Sequence, residues 1–189
     1  LSLFVCSVFA QEKVLKPLAD KKVVMIIAHT DFRDEEYQTP KEILSQAGAK
    51  VTTASSSLEI AKGMLGAKVK PDILVSDIKV KEYDVIIFVG GIGAQEYWDD
   101  PTAQRIAQEA VKENKVLGAI CIAPVILANA GVLKDKKATV FSTVKDKLKA
   151  KGAKYSSKPV EKSGKIITAQ SPKEAKPFAE QIKKTLLEK

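Results

Sequence analysis

Cys121 stands in the run GAICIAP, where an apolar, strand-like stretch passes into an apolar, helix-like one without a spacer. Small residues, Ala119 and Ala123, lie two positions to either side. That is the steric requirement of a sharp strand-to-helix elbow, which lifts a nucleophile off the end of a sheet. A thiol held there meets the amides and positive potential at the start of the next helix, and both favour the thiolate, its nucleophilic form. The plainer reading is that Cys121 is a small buried hydrophobe, as many free cysteines are.

Other residues could complete such a site. Gly90, Gly91 and Gly93 end the apolar run YDVIIFV. Without a Cβ, the backbone of Gly90 and Gly91 can approach a sulfur, and the Gly91 and Ile122 amides would together form an anion hole. The alternative is an ordinary tight turn. Glu35 and Glu36 follow the first apolar run, and either one is an acid that could hold the sulfur by a hydrogen bond. Both also suit the first turn of a helix, where the macrodipole favours acids. The sole histidine, His29, ends that first run and is either a late member of the site or a structural residue. The chemistry of this set requires no metal and no organic cofactor.

The elements that must position these groups alternate. KKVVMIIAH, from Lys21, is rich in β-branched residues and predicts a strand buried on both faces. A helix is expected over Asp34 to Ala47, ended by Gly48, with Pro40 kinking it or offsetting its start. Further strands are expected at Lys50 to Ala54, Tyr83 to Val89, Lys115 to Ile120 and Ala138 to Phe141, with two short ones between Lys158 and Thr168. Helices are expected at Pro101 to Asn114, over PVILANAG, at Lys145 to Lys151 and at Lys173 to Leu187. Ser55 to Lys81 reads only as short strands or a local excursion. The alternation predicts an α/β fold with a mostly parallel sheet covered on both sides, whose functional groups gather beyond the carboxyl ends of strands.

A chain of 189 residues with 45% hydrophobic and 29% charged residues fits one globular domain. We place it at 21–189, behind a leader and short linker at 1–20. The formal charge of +8 raises the question of nucleic acid. Only Arg33 and Arg105 among the 31 basic residues are arginine, and the lysines of 145–158 lack the repeated aromatic interleaving of a single-strand binder. A solvated lysine face is expected, with no nucleic-acid partner.

LSLFVCSVFAQE is an apolar run of about ten residues ending in a small residue, the form of a signal-peptide tail cleaved near Ala10. It is too short to span a membrane, which takes about twenty apolar residues. No basic region precedes Leu1, so a longer start is expected upstream. Cys6 as a lipidation site is disfavoured by the bulky Val5 before it. An exported or periplasmic location follows as an expectation, with a cytoplasmic one as the alternative.

From Lys22 to Leu187 the sequence resembles the ThiJ/PfpI family. The resemblance is carried by VVMIIAHTDFRDEEYQTPKEILSQAGAKV, YDVIIFVGGIGAQEYWDD, KVLGAICIAPVILANAGVLKDKKATVF and VEKSGKIITAQSPKEAKPFAEQI, the third being the most specific. It implies a flavodoxin-like three-layer sandwich, a homodimer, and a glutamate four residues before a proline touching the elbow cysteine. Counting back from Pro40 selects Glu36 over Glu35. It further implies glyoxalase or deglycase chemistry on methylglyoxal and its protein adducts, peptidase activity in some members, and oxidation sensing through a cysteine sulfinate in others.

Two departures from the family pattern matter. Ile122 stands where hydrolytic members have histidine, and Ser142 stands where another branch draws one from the strand after the elbow helix. An arginine often found near the last strand is replaced by Gln170, Ser171 and Pro172. Without an imidazole at the sulfur, peptide hydrolysis lacks its usual proton relay. The expected function is therefore addition of Cys121 to a small reactive carbonyl, with Glu36 moving the proton and the Gly91 and Ile122 amides steadying the oxyanion. The alternatives are a non-enzymatic redox sensor or chaperone-like dimer, and a binding module on the same scaffold.

Overall fold

The computed structural model describes residues 16–188, and the expected leader, with Cys6 and the cleavage point near Ala10, lies outside the described residues. The first half of the chain runs β1 (Lys22–Ile26), β2 (Thr30–Phe32), α1 (Asp34–Gln46), β3 (Lys50–Ser55), β4 (Ala61–Gly63), β5 (Lys68–Val69), β6 (Ile73–Leu74) and β7 (Val85–Phe88). It continues through α2 (Pro101–Lys112), β8 (Val116–Ile120), α3 (Pro124–Asn129), β9 (Lys137–Ala138), α4 (Lys145–Ala150), β10 (Lys154–Tyr155), β11 (Val160–Ser163), β12 (Ile166–Ala169) and α5 (Ala175–Leu187).

Seven strands form the central sheet in the order β11-β12-β8-β7-β1-β3-β6, parallel except for β11. The buried, β-branched run of β1 is explained by its place, since β3 and β7 pair with its two edges and helices cover both faces. Helices α1 and α5 pack together on one face and α2 and α3 on the other, giving the expected three-layer, flavodoxin-like α/β sandwich. Close packing is visible at Gly118 of β8, where a Cβ would lie 2.8 Å from the ring of Phe178 on α5.

From β1 the chain first winds outward through β3 to β6, then crosses to β7 on the other side of β1 and continues outward. The reversal lies between β1 and β7, and loops leaving those strands diverge there and open a crevice. The registers Ile26↔Phe88 and Phe88↔Ala119 bring the carboxyl ends of β1, β7 and β8 level.

Several expected boundaries shift, each for a physical reason. Pro40 lies inside α1 without offsetting its start from Asp34, and its ring takes a place on the buried stripe of the helix. The strand expected at Ala138 to Phe141 is instead β9, paired with β10 over two residues. The Thr139 amide leaves the ladder to donate to Thr168 Oγ1 at 2.9 Å, and the Phe141 amide donates to the Cys121 carbonyl at 2.8 Å. The closing helix begins as a 3₁₀ turn at Pro172–Glu174 before α5. Among the described residues no helix is long and apolar enough to cross a membrane.

The domain also reaches back into the segment expected to be linker. Leu18 is fully buried and its amide donates to the Ala47 carbonyl at 2.9 Å, because an apolar side chain here fills the space beside the end of α1. Leu18→Ala is expected to cost about 2–4 kcal/mol in urea unfolding, as a core leucine does. A change within about 0.5 kcal/mol, as at surface positions, would return Leu18 to the linker.

Candidate functional site

Glu36, Pro40 and Leu44 are buried at four-residue spacing on α1 and share its inward face. Helical geometry therefore turns Glu36 into the protein and leaves Glu35 at the surface of the crevice. The Glu36 side chain is fully buried, and its Oε2 accepts the Gly90 amide at 3.0 Å. Oε1 has no hydrogen-bond partner of ordinary geometry among the described residues.

Cys121 follows the last residue of β8 at φ 63°, in left-handed backbone that a non-glycine residue adopts at a cost. Its amide is tied to Ala169 at the end of β12 and its carbonyl to Phe141, so the elbow is held from two sides. Gly90 explains how the acid and the thiol meet. A Cβ there would lie 2.4 Å from Glu36 Oε2 and 2.6 Å from Cys121 Cβ, a space that only glycine leaves free. Gly91, at φ 94°, is similarly wedged, with a Cβ position 2.4 Å from both the Arg33 amide and the Asp31 carbonyl.

Burial pushes the Glu36 carboxyl up to about 8, against the pull of Cys121 and of the Gly90 amide. Burial first, and the Glu36 charge second, push the Cys121 thiol up to about 12, while the Gly91 and Ile122 amides pull it down. The two groups are coupled, and each is held above its ordinary value. The Gly91 and Ile122 amides favour a thiolate, whereas the thiol, the Gly90 amide and the Arg33 charge favour a Glu36 carboxylate. Cys121 also retains 9% exposure and Glu36 none.

The pull toward thiolate expected from the following helix is present in the Gly91 and Ile122 amides but is outweighed. α3 has only six residues, and burial outweighs the pull of the nearby amides, so at neutral pH the pair is mostly uncharged.

In front of the sulfur lies a cavity of about 740 Å³. Gly91 and Ile122 line it with Cys121, and Met64, Ile92 and Phe141 make an exposed apolar rim. Gly90 and Glu36 stand behind the sulfur and do not line the cavity. His29 is not brought to it either: its amide approaches Glu96 Oε1 at 3.3 Å, and its Nδ1 is buried without a partner among the described residues. Ser142 opens the 3₁₀ turn beside the site, while its neighbours Phe141 and Thr143 face the cavity.

Sequence reasoning missed several residues. Arg33 lines the cavity and grips Glu35 with two N–H groups, at 2.8 and 3.1 Å. Its rarity in a lysine-rich chain was the available signal. Trp98, the only tryptophan, donates Nε1–H to the Ile122 carbonyl at 3.2 Å and walls the cavity. Asp34 is more than a dipole partner. Its carboxylate accepts the amides of Leu65 and Ala67, each at 2.8 Å, and so fixes the turn that presents Met64.

A family model described as the DJ-1/PfpI family matches residues 21–185. The glutathione-independent glyoxalase DJR-1.2 of Caenorhabditis elegans is 33% identical over 168 residues, covering 89% of this chain and 90% of that protein. The deglycase PfpI of Pyrococcus furiosus is 27% identical over 149 residues, covering 79% and 90%. The crystal structure of a ThiJ/PfpI domain protein from Brachyspira murdochii superposes with a TM-score of 0.85 at 33% identity, covering 87% of this chain and 95% of that one.

The acid pair makes two predictions. Labelling of Cys121 by iodoacetamide is expected to have a midpoint above that of a free thiol, and Glu36→Gln, which removes the charge that helps push the thiol up, should move the midpoint down; a midpoint unmoved by Glu36→Gln would refute the coupling. Stability is linked as well. Unfolded Glu36 ionises near 4.5 and the folded group near 8, so the unfolded chain binds fewer protons between those values. Wild-type stability is therefore full below about 4.5 and falls as pH rises through 8, by roughly 4–5 kcal/mol at about 1.36 kcal/mol per unit. Glu36→Gln, neutral throughout, should lack that fall, and urea unfolding of both proteins across the window would expose parallel slopes if the assignment is wrong.

Proposed function

The chain belongs to the DJ-1/PfpI family, and from that premise we propose that it performs cysteine-dependent chemistry on small reactive carbonyls, of the glyoxalase or deglycase kind. One observation carries this reading: a thiol on a left-handed elbow, with a buried acid behind it that keeps its proton to about pH 8 and an open cavity ahead.

The thiolate of Cys121 adds to the aldehyde carbon. A sulfur–carbon bond forms, and the carbonyl π pair moves to oxygen. As the charge leaves sulfur, the Gly91 and Ile122 amides are released to face the new oxyanion. The proton held by Glu36 then neutralises that oxygen, leaving a hemithioacetal and a Glu36 carboxylate. The single negative charge is conserved throughout, and the carboxylate is placed to act as a base in the next step. No imidazole lines the cavity among the described residues, which supports carbonyl addition over peptide hydrolysis. Pockets of about 300–1,000 Å³ suit ligands larger than a three-carbon aldehyde, so this one also admits an aldehyde adduct on a protein side chain.

A second reading is favoured by one feature, the partnerless Oε1 of a protonated carboxyl beside sulfur. It is suited to donate to an oxygen added to that sulfur, so that peroxide would carry Cys121 to a sulfinate and stop there. Peptide-resolved mass spectrometry after peroxide titration reads this directly. Two oxygens held at Cys121, with no methylglyoxal turnover, would favour the sensor.

For the leading proposal, methylglyoxal consumption is expected to fall by at least about a hundredfold in Cys121→Ser, and by a similar order in Glu36→Gln. Equal consumption by the wild type and the Cys121→Ser protein would refute it.

A further inference from the structure

Three charged side chains line the cavity around Cys121: Arg33, Glu35 and Lys173. The Arg33–Glu35 pair is closed on itself through Nε–H to Oε2 and Nη2–H to Oε1. A guanidinium carries five N–H donors, so Nη1 and the second N–H of Nη2 remain unused by Glu35. Glu35 thereby serves as a brace, fixing the plane of the guanidinium at the cost of part of its charge. Lys173 has no carboxylate within 4.0 Å among the described residues. The lining therefore holds a net positive charge and spare, preorganised donors, and it is otherwise largely apolar.

Arg33 is also anchored close to the reacting atom. Its amide donates to the Gly90 carbonyl at 3.0 Å, and Gly90 lies against Cys121 so tightly that a Cβ there would come within 2.6 Å of Cys121 Cβ. Lys173 approaches from the 3₁₀ turn after β12, the strand whose Ala169 carbonyl holds the Cys121 amide. The two cations thus come from separate segments, after β2 and after β12, and line one cavity with the thiol.

We propose that Arg33 and Lys173 form a carboxylate subsite next to Cys121, so that the substrate is a carbonyl compound that carries a carboxylate of its own. This names the substrate class of the proposed reaction and rests on that reading. The planar, braced guanidinium offers paired N–H donors to a carboxylate, and Lys173 adds a mobile point charge. Neutral aldehydes react at the same thiol but leave the two cations without a partner. A 2-hydroxy acid, the product class of glyoxalase chemistry, fits the same subsite.

Two alkylating agents of nearly equal size read the subsite without depending on turnover: iodoacetate, which carries a carboxylate, and neutral iodoacetamide. The rate ratio of iodoacetate to iodoacetamide at Cys121, divided by the same ratio for free cysteine, is expected to be about tenfold or more. That is the scale of one charge-assisted hydrogen-bonded pair. Arg33→Met and Lys173→Met should each bring the ratio toward one, and because Lys173 is exposed its replacement leaves folding intact.

A wild-type ratio of one or less, or a ratio kept in both variants, overturns the subsite. If neither agent labels the thiol, calorimetric titration of Cys121→Ser with lactate decides. Binding that Arg33→Met abolishes supports the subsite, and no binding overturns it. Methylglyoxal consumption is measured in parallel, so that a failed carbonyl reaction and a failed subsite appear in different columns.

Discussion

A carboxyl group buried with its proton behind a thiol is the constraint around which the rest of the molecule is arranged. Burying Glu36 completely would be costly for a charged group, and the chain avoids that cost by keeping it neutral to about pH 8. What makes this arrangement possible is geometry at three points. The inward stripe of α1 aims Glu36, the missing side chain of Gly90 lets it reach the elbow, and the left-handed turn at Cys121 brings the sulfur to meet it. Each is local, yet none would matter without the other two.

The sheet order supplies the meeting place. Because the winding reverses between β1 and β7, loops after β1, β7 and β8 open side by side, and each delivers one part: the acid and Arg33, the glycine backbone, and the thiol. The remaining strands act as supports. β12 ties down the Cys121 amide through Ala169, and the segment after β9 ties down its carbonyl through Phe141. The strain of the elbow is thus held by backbone hydrogen bonds on both flanks rather than by the short helix α3 that follows it.

The parts legible in the sequence were those written in a single contiguous stretch. The apolar runs of β1, β7 and β8, the small residues flanking Cys121 and the glycine pair each announce themselves within about seven residues. Choosing Glu36 over Glu35 took the family resemblance, although the physical reason, four-residue spacing to Pro40 and Leu44, was present in the sequence throughout. The excursion between β3 and β7 was illegible because its strands are two or three residues long, too short for any periodicity, and rest on Asp34, some thirty residues away. The strand expected through Phe141 failed because two of its amides are spent on Thr168 and Cys121, contacts no local pattern encodes. The cavity wall was hidden for the same reason, since Met64, Trp98 and Phe141 are brought together only by the fold.

The missing imidazole acquires meaning from this arrangement. In a thiol–imidazole site the base stands beside the nucleophile, faces the substrate, and can pass a proton to a departing amine. Here the proton partner stands behind the sulfur, outside the cavity lining. Such a site handles well a reaction whose proton moves between sulfur and an oxygen one bond from the attacked carbon. Peptide cleavage must in addition deliver a proton to the departing nitrogen, from a group on the substrate side of the sulfur. In the proposed reaction carbonyl addition needs one proton, which Glu36 carries, whereas peptide cleavage needs a further donor facing the substrate, so the position of the acid and the lack of an imidazole in the described lining support the same reading.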